Sequence, residues 1–585
     1  MSRQPGDAPR RLRPGLVGWL VCVGVALLVS TGTVLLRHRI PVALLRNSGY
    51  DDALFVRQAT HLRDGQWLGP FDSLTLSKGP AYPAFIAGMH ATRIPLKVGE
   101  QLTFLLAVAV LAACVWVVTR RKVVATAVFV ILAVDPASFG FAASRVLRDS
   151  WYASLALLLL GAFFLAVHGA VTRTRLVWLL PTAVLAGLSA AAFWLCREEG
   201  PAIAPPLAVI ALGVPVWALV RGWSARSPGP VRRRRLFTKT ARVTGVFAVV
   251  AIAALIPIRY VAHENASHYG VGLTNDVSAG AYARAYADWA DVDAGAPIAQ
   301  VPINAAQRAA VYAISPAANE LSAELESPAN HWRATSCHAA RICADFGGAW
   351  EVWALREAAA DAGHFGSETA VQSYFGRIAD DIETACAQGR LSCQTHLPPS
   401  LEPFQHATVS GVWDAYWRGL VFVTTSTVPT SPPVPRPAVS AADRKPFAAM
   451  IVRLPTSQRS EAAAERRFAA RADWYDALSS TYRWLAPLLM LLGIAGLVLR
   501  LLSRTRTSTL MCLLAIALAV GGLFRLLLLA VIDSTTFSTV GSAYQLTTRT
   551  LLIAFGLTGA AVIVERLSDL RSARQHQADE VSLPG

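Results

Sequence analysis

The sequence has 585 residues, of which 54% are hydrophobic and only 16% are charged, so it is too apolar for an ordinary water-soluble protein. Its formal net charge is +16 at pH 7. The basic residues lie in short clusters separated by apolar segments. This pattern argues against a nucleic-acid partner and is typical of the loops that orient membrane spans.

Ten apolar segments are long enough to cross the hydrocarbon core of a bilayer, which is ~30 Å thick. We predict membrane spans at residues 15–36, 98–119, 123–140, 150–172, 176–195, 201–221, 243–260, 482–502, 508–532 and 545–565. The segment 80–94 is apolar but short and contains Pro83, His90, Arg93 and Pro95, so we predict a helix at the membrane interface. The predicted fold class is an all-α polytopic membrane protein with about ten transmembrane helices.

Clusters of Lys and Arg predict the orientation of the spans, because these residues are enriched in cytoplasmic loops. One cluster precedes span one and others follow spans two, four, six, eight and ten: Arg10, Arg11 and Arg13, Arg120, Arg121 and Lys122, Arg173 and Arg175, Arg232 to Arg235, Arg504 and Arg506, and Arg566, Arg571 and Arg574. A cytoplasmic N-terminus places every cluster inside. We therefore predict a multi-pass protein of the plasma (inner) membrane with both termini cytoplasmic. The Arg232 to Arg235 run also suits anionic head groups of membrane lipids.

The spans divide the chain into successive parts. In order they are a basic cytoplasmic N-terminus (1–14), a core of seven spans (15–260) with its first outer loop at 37–97, an extracytoplasmic domain (261–481), three C-terminal spans (482–565) and a cytoplasmic tail (566–585). Apolar residues recur at spacings of three and four in 350–360 and 370–387, which predicts helices in the extracytoplasmic domain. A proline-rich run at 429–437 predicts an extended linker between a compact helical domain, about 261–425, and a helical return segment.

The eight cysteines fall into two groups. Four lie in or near apolar spans and are interpreted as small hydrophobic residues: Cys22, Cys114, Cys196 and Cys512. The other four lie in the extracytoplasmic domain: Cys337, Cys343, Cys386 and Cys393. An even number on the oxidising side predicts two disulfides, and three pairings are open. A zinc site that includes His338 is the alternative, but these cysteines form no C-x-x-C pair.

The first outer loop combines an acidic pair with a lysine held among glycine and proline residues. Asp51 and Asp52 are followed by QWLGP at 66–70 and by SKGPAYP at 77–83, which contains Lys78. Adjacent carboxylates near a membrane surface must be solvated or paired, so packing alone explains them poorly. Their repulsion raises one pKa unless a cation compensates. We predict that a general base and a phosphate-binding cation meet in this loop.

Further charges lie at the same membrane level. Arg148 and Asp149 open span four, Glu198 and Glu199 follow span five, and Arg525 lies in span nine. Charges at the ends of apolar helices usually face a bundle interior or a water-filled cavity. We predict that these residues bind substrate, and that Arg525 contacts the phosphate of a lipid from the far side of the cavity.

Other residues have a simpler structural interpretation. Arg145 and Arg197, each considered alone, are interpreted as charges at the membrane interface whose side chains extend to water. Trp350, Trp353 and Tyr374 are candidates for stacking on sugars, but their helical spacing is more typical of a domain core.

The order of these motifs resembles the GT-C superfamily of membrane glycosyltransferases. It is similar in particular to the branch of aminoarabinose transferases and protein O-mannosyltransferases, which use polyprenyl-phosphate sugars. The acidic pair of that branch matches Asp51 and Asp52, its Lys-Pro-Pro motif matches 78–80, and the acidic site of its second outer loop matches 148–149. Gly79 stands where proline is common, and Asp52 stands where glutamate is frequent. The resemblance covers residues 15–260.

The resemblance implies an inverting transfer of a sugar from polyprenyl phosphate to an extracytoplasmic glycan, lipid or protein of the cell envelope. It implies that Asp51 takes the proton of the acceptor hydroxyl, while Lys78 and Arg148 stabilise the leaving phosphate. Asp52 and Asp149 then orient the acceptor or hold those cations. No cofactor is required, although members of the superfamily that use a divalent metal are known.

The alternative is a protein without enzymatic activity, either a transporter or a scaffold for envelope assembly that presents its outer domain to partners. Transporters typically contain broken helices, charged residues near the middle of the bilayer and two structurally related halves. Arg525 is the main candidate for such a charge, and no inverted repeat is visible in the sequence. We therefore favour the enzyme.

Overall fold

The computed structural model describes residues 14–44, 49–223, 229–394, 407–425, 441–454, 458–470, 473–502, 508–541 and 543–581. The proline-rich run at 429–437, the arginine cluster at 10–13 and the pair Arg504 and Arg506 lie outside these ranges. Within them the chain forms helices and isolated β-bridges but no β-strand, so the predicted all-α fold class is confirmed.

The helices follow one another through short connections. In chain order they are α1 (Pro14–Arg39), α2 (Asp52–Arg63), α3 (Ala81–Ala91), α4 (Leu96–Thr119), α5 (Lys122–Ala133), α6 (Phe141–Ser144), α7 (Asp149–Thr172), α8 (Leu176–Trp194), α9 (Ala204–Trp223), α10 (Gly229–Tyr269), α11 (Gly280–Ala290), α12 (Ala305–Tyr312), α13 (Pro316–Asn319), α14 (Ser322–Leu325), α15 (His331–Ala340), α16 (Gly348–Asp361), α17 (Glu368–Ala387), α18 (Val409–Thr425), α19 (Ala441–Met450), α20 (Gln458–Ala469), α21 (Asp473–Leu501), α22 (Ser508–Thr535) and α23 (Gln545–Val581). Short 3-10 turns at Pro136–Phe139 and Gly200–Ile203 precede α6 and α9.

Among the described residues, ten helices are long and apolar enough to cross a membrane, which confirms the predicted number of spans. They are built on α1, α4, α5, α7, α8, α9, α10, α21, α22 and α23. Three of them run well beyond the predicted bounds, since α10 has 41 residues, α23 has 37, and α21 has 29 and begins at Asp473 rather than at 482. Hydropathy marks only the part of a helix that is apolar, whereas polar residues such as Lys239 and Glu264 extend α10 beyond that part.

Helix α7 lies at the centre of the bundle and packs against α4, α8, α9, α10 and α23. Almost every residue from Trp151 to Val171 is buried. This stretch is a nearly continuous run of apolar residues, which suits a helix surrounded by other helices on all sides. Because α7 begins at Asp149, its charged first turn lies at one end of the bundle. We call this end, which also carries Asp51 and Glu198, the site end.

Helices α11 to α17 form a second apolar core, built around side chains such as Trp289, Phe346 and Tyr374. The helices predicted at 350–360 and 370–387 are present as α16 and α17. We call residues 270–394, which contain these seven helices, the cap.

The cap docks on the loop that carries Lys78. The amide of Asn275 donates to the Ser77 carbonyl at 3.0 Å, and the Asp276 backbone N–H donates to the Leu76 carbonyl at 3.0 Å. Arg356, buried in an ion pair with Asp276, donates to the Ser73 carbonyl at 2.7 Å. These contacts hold α16 against the site end of the bundle.

Helix α18 packs on the spans α21, α22 and α23, outside the core of the cap. Val423 is buried together with Met490 and Leu552, while Trp413 and Trp417 are exposed one helical turn apart. The sequence alone suggests one compact domain up to about residue 425, because an amphipathic helix has the same period on a soluble core as on a bundle. Exposed tryptophans on this helix suit the membrane interface.

Candidate active site

Asp51 stands immediately before α2, at its N-cap position, and its side chain makes no capping hydrogen bond. Its Oδ1 instead forms an ion pair with the ammonium group of Lys78. The Asp51 side chain is half exposed, whereas that of Lys78 is buried. A carboxylate that is open to incoming molecules is thus held in contact with a cation that is not.

Opposing effects set the charge state of this pair. Partial burial raises the pKa of Asp51, but the charge and hydrogen bond of Lys78, together with the charge of Arg148, outweigh this effect and lower the pKa to about 2. Burial lowers the pKa of Lys78, while Asp51 opposes that shift. Near neutral pH Asp51 is therefore ionised and engaged by a cation.

The position of Lys78 depends on a close approach between Gly79 and the end of α8. A Cβ added to Gly79 would lie 2.1 Å from the carbonyl oxygen of Leu195. The Ala81 backbone N–H donates to the same carbonyl at 3.2 Å. Only glycine fits there, which explains why this sequence departs from the Lys-Pro-Pro pattern.

Asp52 has a different environment from its neighbour. It is fully buried, accepts a hydrogen bond from Arg145 Nη2 at 2.6 Å and accepts another from the Val146 backbone N–H at 3.1 Å. Burial raises the pKa of Asp52, and the charge of Arg145 opposes this. Asp52 thus connects α2 to the segment before α7. Because it is buried, it positions these elements and is not accessible as a base.

Arg148 forms a bidentate pair with Glu198, with Nη1 and Nη2 donating to the two carboxylate oxygens at 3.0 and 2.7 Å. Its Nη1 also donates to the Cys196 carbonyl at 2.6 Å. Burial raises the pKa of Glu198, but the charge and hydrogen bonds of Arg148 outweigh this effect and lower the pKa below its usual value. This pair joins the first turn of α7 to the turn after α8.

A second group of charges continues toward α22. Arg197 contacts Asp149 at 2.5 Å and Glu199 at 3.2 Å, and Arg525 contacts the other oxygen of Glu199 at 2.6 Å. Burial raises the pKa of Glu199, but the charges of Arg197 and Arg525 lower it to about 2. The guanidinium carbon of Arg197 also lies 4.8 Å from the centre of the Tyr544 ring.

The structure brings the predicted site residues together at the site end: Asp51, Asp52, Lys78, Arg148, Asp149, Glu198, Glu199 and Arg525. With Arg145 and Arg197 they form one cluster in which five cations and five carboxylates are mutually paired. The interpretation of Arg145 and Arg197 as interfacial charges is wrong, because both pair with acidic residues of the cluster. The sequence around a single arginine beside a span carries no signal that separates an interfacial charge from a buried ion pair.

The cap contributes aromatic side chains beside this cluster. Lys78 Nζ lies 5.5 Å from the centre of a Trp353 ring. Tyr50 lies between Trp353, against which its ring is tilted, and Trp332, which it meets edge to face, at centroid distances of 5.0 and 4.7 Å. Glu357 accepts hydrogen bonds from Trp332 Nε1 at 2.5 Å and from the Tyr50 hydroxyl at 3.3 Å. Tyr374, by contrast, is buried in the core of the cap.

The four cysteines of the cap form two disulfides, Cys337–Cys343 and Cys386–Cys393. Each pair is close in sequence, and the sequence by itself left the pairing open. Cys337 and Cys343 connect the end of α15 to the following turn, and Cys386 and Cys393 fasten the end of α17.

Basic side chains, rather than a shared metal position, surround the acidic pair in the described part of the chain. Within the described ranges, no group of three or more His, Cys, Asp or Glu side chains converges as a metal site. Asp51 and Asp52 are each paired with a cation, Lys78 and Arg145 respectively. Metal ions prefer free carboxylate oxygens, so the acidic pair does not offer them a shared site.

Fold and site together define an all-helical, multi-pass membrane protein with a charge-paired cluster where its spans meet a helical cap. No protein-family model matches the sequence, and no curated protein matches it. Among solved structures, the chain is similar to ArnT from Cupriavidus metallidurans in the apo state, with 14% identity and a TM-score of 0.29 over 94% of this chain and 78% of that chain. ArnT from the same organism bound to undecaprenyl phosphate gives 15% identity and a TM-score of 0.28 over 93% and 78%. TM-scores of this size do not establish a shared fold, so function is inferred from the residues of this chain.

Proposed function

We propose that this protein is an integral-membrane glycosyltransferase that moves a sugar from a polyprenyl-phosphate donor to an extracytoplasmic acceptor with inversion. The observation that carries the proposal is the ion pair of Asp51 and Lys78, a half-exposed carboxylate against a buried ammonium group at the end of a membrane bundle. Transfer from a lipid-linked sugar phosphate requires a base for the acceptor hydroxyl and a cation for the leaving phosphate at one place.

In this reaction the acceptor oxygen attacks the anomeric carbon of the donor sugar from the side opposite the phosphate. The bond between that carbon and the phosphate oxygen breaks, and its electron pair stays on the polyprenyl phosphate. The acceptor proton passes to Asp51. Lys78 and Arg148, whose charges both act on Asp51, stabilise the negative charge that develops on the leaving group.

The low pKa of Asp51 gives donor binding a second role. A carboxylate with a pKa of about 2 is a weak base near neutral pH, because proton transfer is most effective when the pKa lies close to the operating pH. A donor phosphate that contacts Lys78 competes with Asp51 for the ammonium group. Loss of that partner raises the pKa of Asp51, so the base becomes effective when the leaving group is in place.

The cap supplies the acceptor side of the site in this proposal. Trp353 lies next to Lys78, and Tyr50 precedes Asp51 directly in the chain. Aromatic rings present flat apolar faces on which sugar rings can stack, and Glu357 offers a carboxylate that accepts hydrogen bonds. This arrangement suits an acceptor that carries hydroxyl groups.

The test is sugar transfer by the purified full chain in lipid nanodiscs, with a panel of polyprenyl-phosphate sugars and envelope acceptors. Asp51→Asn should reduce turnover at least 100-fold, because an amide cannot accept the proton, while donor binding persists. Asp64→Asn changes an exposed carboxylate that pairs with the neighbouring Arg63, and it should keep full activity. Near-normal turnover of Asp51→Asn would refute the assignment of the base.

Two further variants address the leaving group. Lys78→Ala and Arg148→Ala should each cost about 2.7–4 kcal/mol of transition-state stabilisation, as for the loss of one oxyanion donor. Their effects should not add, since both act on one phosphate. A transporter or scaffold, the alternative class, would show no sugar transfer by the wild-type protein with any donor of the panel.

A further inference from the structure

A second polar site lies inside the membrane bundle, separate from the charge-paired cluster. A small cleft opens between α1, α4, α7 and α23 near the site end. Its polar lining comes from Arg37, Glu100, Gln101, Ser138, Ser150, Ser154 and Thr550. Burying polar side chains within membrane spans costs free energy, and such residues are usually functional. We therefore expect this lining to bind a ligand or a structural partner.

Internal contacts satisfy this lining only in part. Arg37 Nη2 donates to the Ala143 carbonyl and lies 3.6 Å from Glu100, while Glu100 Oε1 pairs with Lys97 at 2.7 Å and accepts from Tyr82 at 2.7 Å. Arg37 Nη1 and Gln101 Nε2 have no hydrogen-bond partner among the described residues. Both side chains are more than nine-tenths buried. Two nitrogen donors are therefore left unused on the wall of the cleft, and the Glu100 Oε2 acceptor beside them also lacks a hydrogen-bond partner.

The charges around the cleft favour an anion. Arg37, Lys97 and Arg145 carry three positive charges, against which Glu100 and Asp52 supply two negative charges. An anion with several acceptor oxygens would balance the excess cation and occupy the unused N–H groups of Arg37 and Gln101. Phosphate has this chemistry, and guanidinium groups suit it because their N–H groups form a planar fork.

The surroundings of the cleft indicate a lipid. Helix α1 exposes most of its apolar surface, including Leu35, and α4 exposes Leu102 and Leu106 beside Gln101. Exposed leucines on spans contact acyl or prenyl chains in a bilayer. A head group in the cleft could therefore keep its hydrocarbon chain against α1 and α4.

We propose that this cleft, lined by Arg37, Glu100 and Gln101, binds the phosphate head group of a membrane lipid. The site is distinct from the pair of Asp51 and Lys78, and the proposal does not depend on glycosyl transfer. Its lipid is either a prenyl monophosphate or a glycerophospholipid, which share the phosphate that the cleft recognises.

Native mass spectrometry of the full chain tests this by counting retained lipids. The probes are geranyl phosphate, phosphatidylglycerol, inorganic phosphate and geraniol. Every protein carries Lys78→Ala, so that the ammonium group beside Asp51 cannot hold a phosphate. Arg37→Gln should weaken binding of the retained lipid at least tenfold, and Gln101→Leu several-fold. Arg93→Gln removes an exposed arginine in the loop before α4 and should leave binding unchanged.

The outcomes separate the sources of the phosphate. Preferential retention of geranyl phosphate assigns the cleft to prenyl monophosphates, and retention of phosphatidylglycerol assigns it to glycerophospholipids. Equal binding of geraniol, binding of inorganic phosphate without preference for either lipid, or unchanged binding in Arg37→Gln would overturn the proposal. If thermal unfolding shows that Arg37→Gln does not fold, Gln101→Leu decides alone, because Gln101 Nε2 has no protein partner to lose.

Discussion

Gly79 lies so close to the carbonyl oxygen of Leu195 that a Cβ at position 79 would stand only 2.1 Å away. This contact presses the loop that carries Lys78 against the end of α8, one residue before Cys196 and two before Arg197. The position of the proposed phosphate-binding lysine therefore depends on the absence of a side chain at the next residue.

Gly79→Ala should lower the melting temperature and displace Lys78, because backbone atoms of Leu195 cannot move aside as a flexible side chain would. We expect at least a tenfold loss of transfer. Gly88→Ala in α3 is the matched control, since nothing lies within 4 Å of an added Cβ there. It should be neutral or stabilise by about 0.5–1 kcal/mol through helix propensity. Equal behaviour of the two variants in thermal unfolding would contradict the close contact.

Arg145→Ala should destabilise the protein by about 3–5 kcal/mol, because it leaves the fully buried carboxylate of Asp52 without its cation. Thermal unfolding in detergent measures this. Arg57→Ala breaks an exposed pair with Asp72 at 2.9 Å and should cost only about 0–1 kcal/mol. A small effect of Arg145→Ala, comparable to the control, would mean that the pair does not hold α2 to the bundle.

The stability should depend on pH through Glu199. Its pKa falls from 4.5 to about 2 because Arg197 and Arg525 outweigh the effect of burial. A pKa lowered in the folded state stabilises the protein above pH 4.5, and this contribution is lost as the pH falls toward 2. Glu199→Gln should therefore melt below the wild type at pH 7, and the difference should shrink by pH 3. Asp380→Asn, at an exposed pair with Arg284, should follow the wild type at both pH values.

Trp353→Ala should raise the KM for the acceptor while donor binding is retained, because Trp353 belongs to the cap and faces Lys78 from outside the bundle. Binding of a prenyl phosphate and the acceptor dependence of transfer are measured separately. Trp413→Ala alters an exposed tryptophan on α18 and should change neither. If Trp353→Ala lowered donor affinity and left the acceptor KM unchanged, the cap would have to be assigned to the donor.

The disulfides should appear in non-reduced peptides as Cys337–Cys343 and Cys386–Cys393. Replacing both Cys386 and Cys393 by serine should destabilise the cap by about 2–3 kcal/mol, the value that chain entropy gives for a short loop. Limited proteolysis of the cap, with the spans as an internal reference, measures this. Cross-linked peptides joining Cys337 to Cys386 would contradict the pairing.

Local composition was sufficient to predict the membrane architecture. A span is recognised from a continuous run of apolar residues, so all ten were predicted, and the acidic pair and Lys78 could be selected because charges beside spans are costly. The same argument failed for Arg145 and Arg197. The side chain of a single arginine near a helix end can extend to water or pair with a distant carboxylate. The neighbouring sequence does not indicate which of these occurs.

The sequence by itself thus determined which segments cross the membrane and which loops carry charge, since both properties depend on neighbouring residues. Only the tertiary structure decided that Asp51 meets Lys78 while Asp52 meets Arg145, and that Trp353 from the cap lies beside the same lysine. The most distant of these partners, Lys78 and Trp353, lie 275 residues apart along the chain. Charge pairing at such distances follows from how helices pack and where loops dock, which no local pattern of residues encodes.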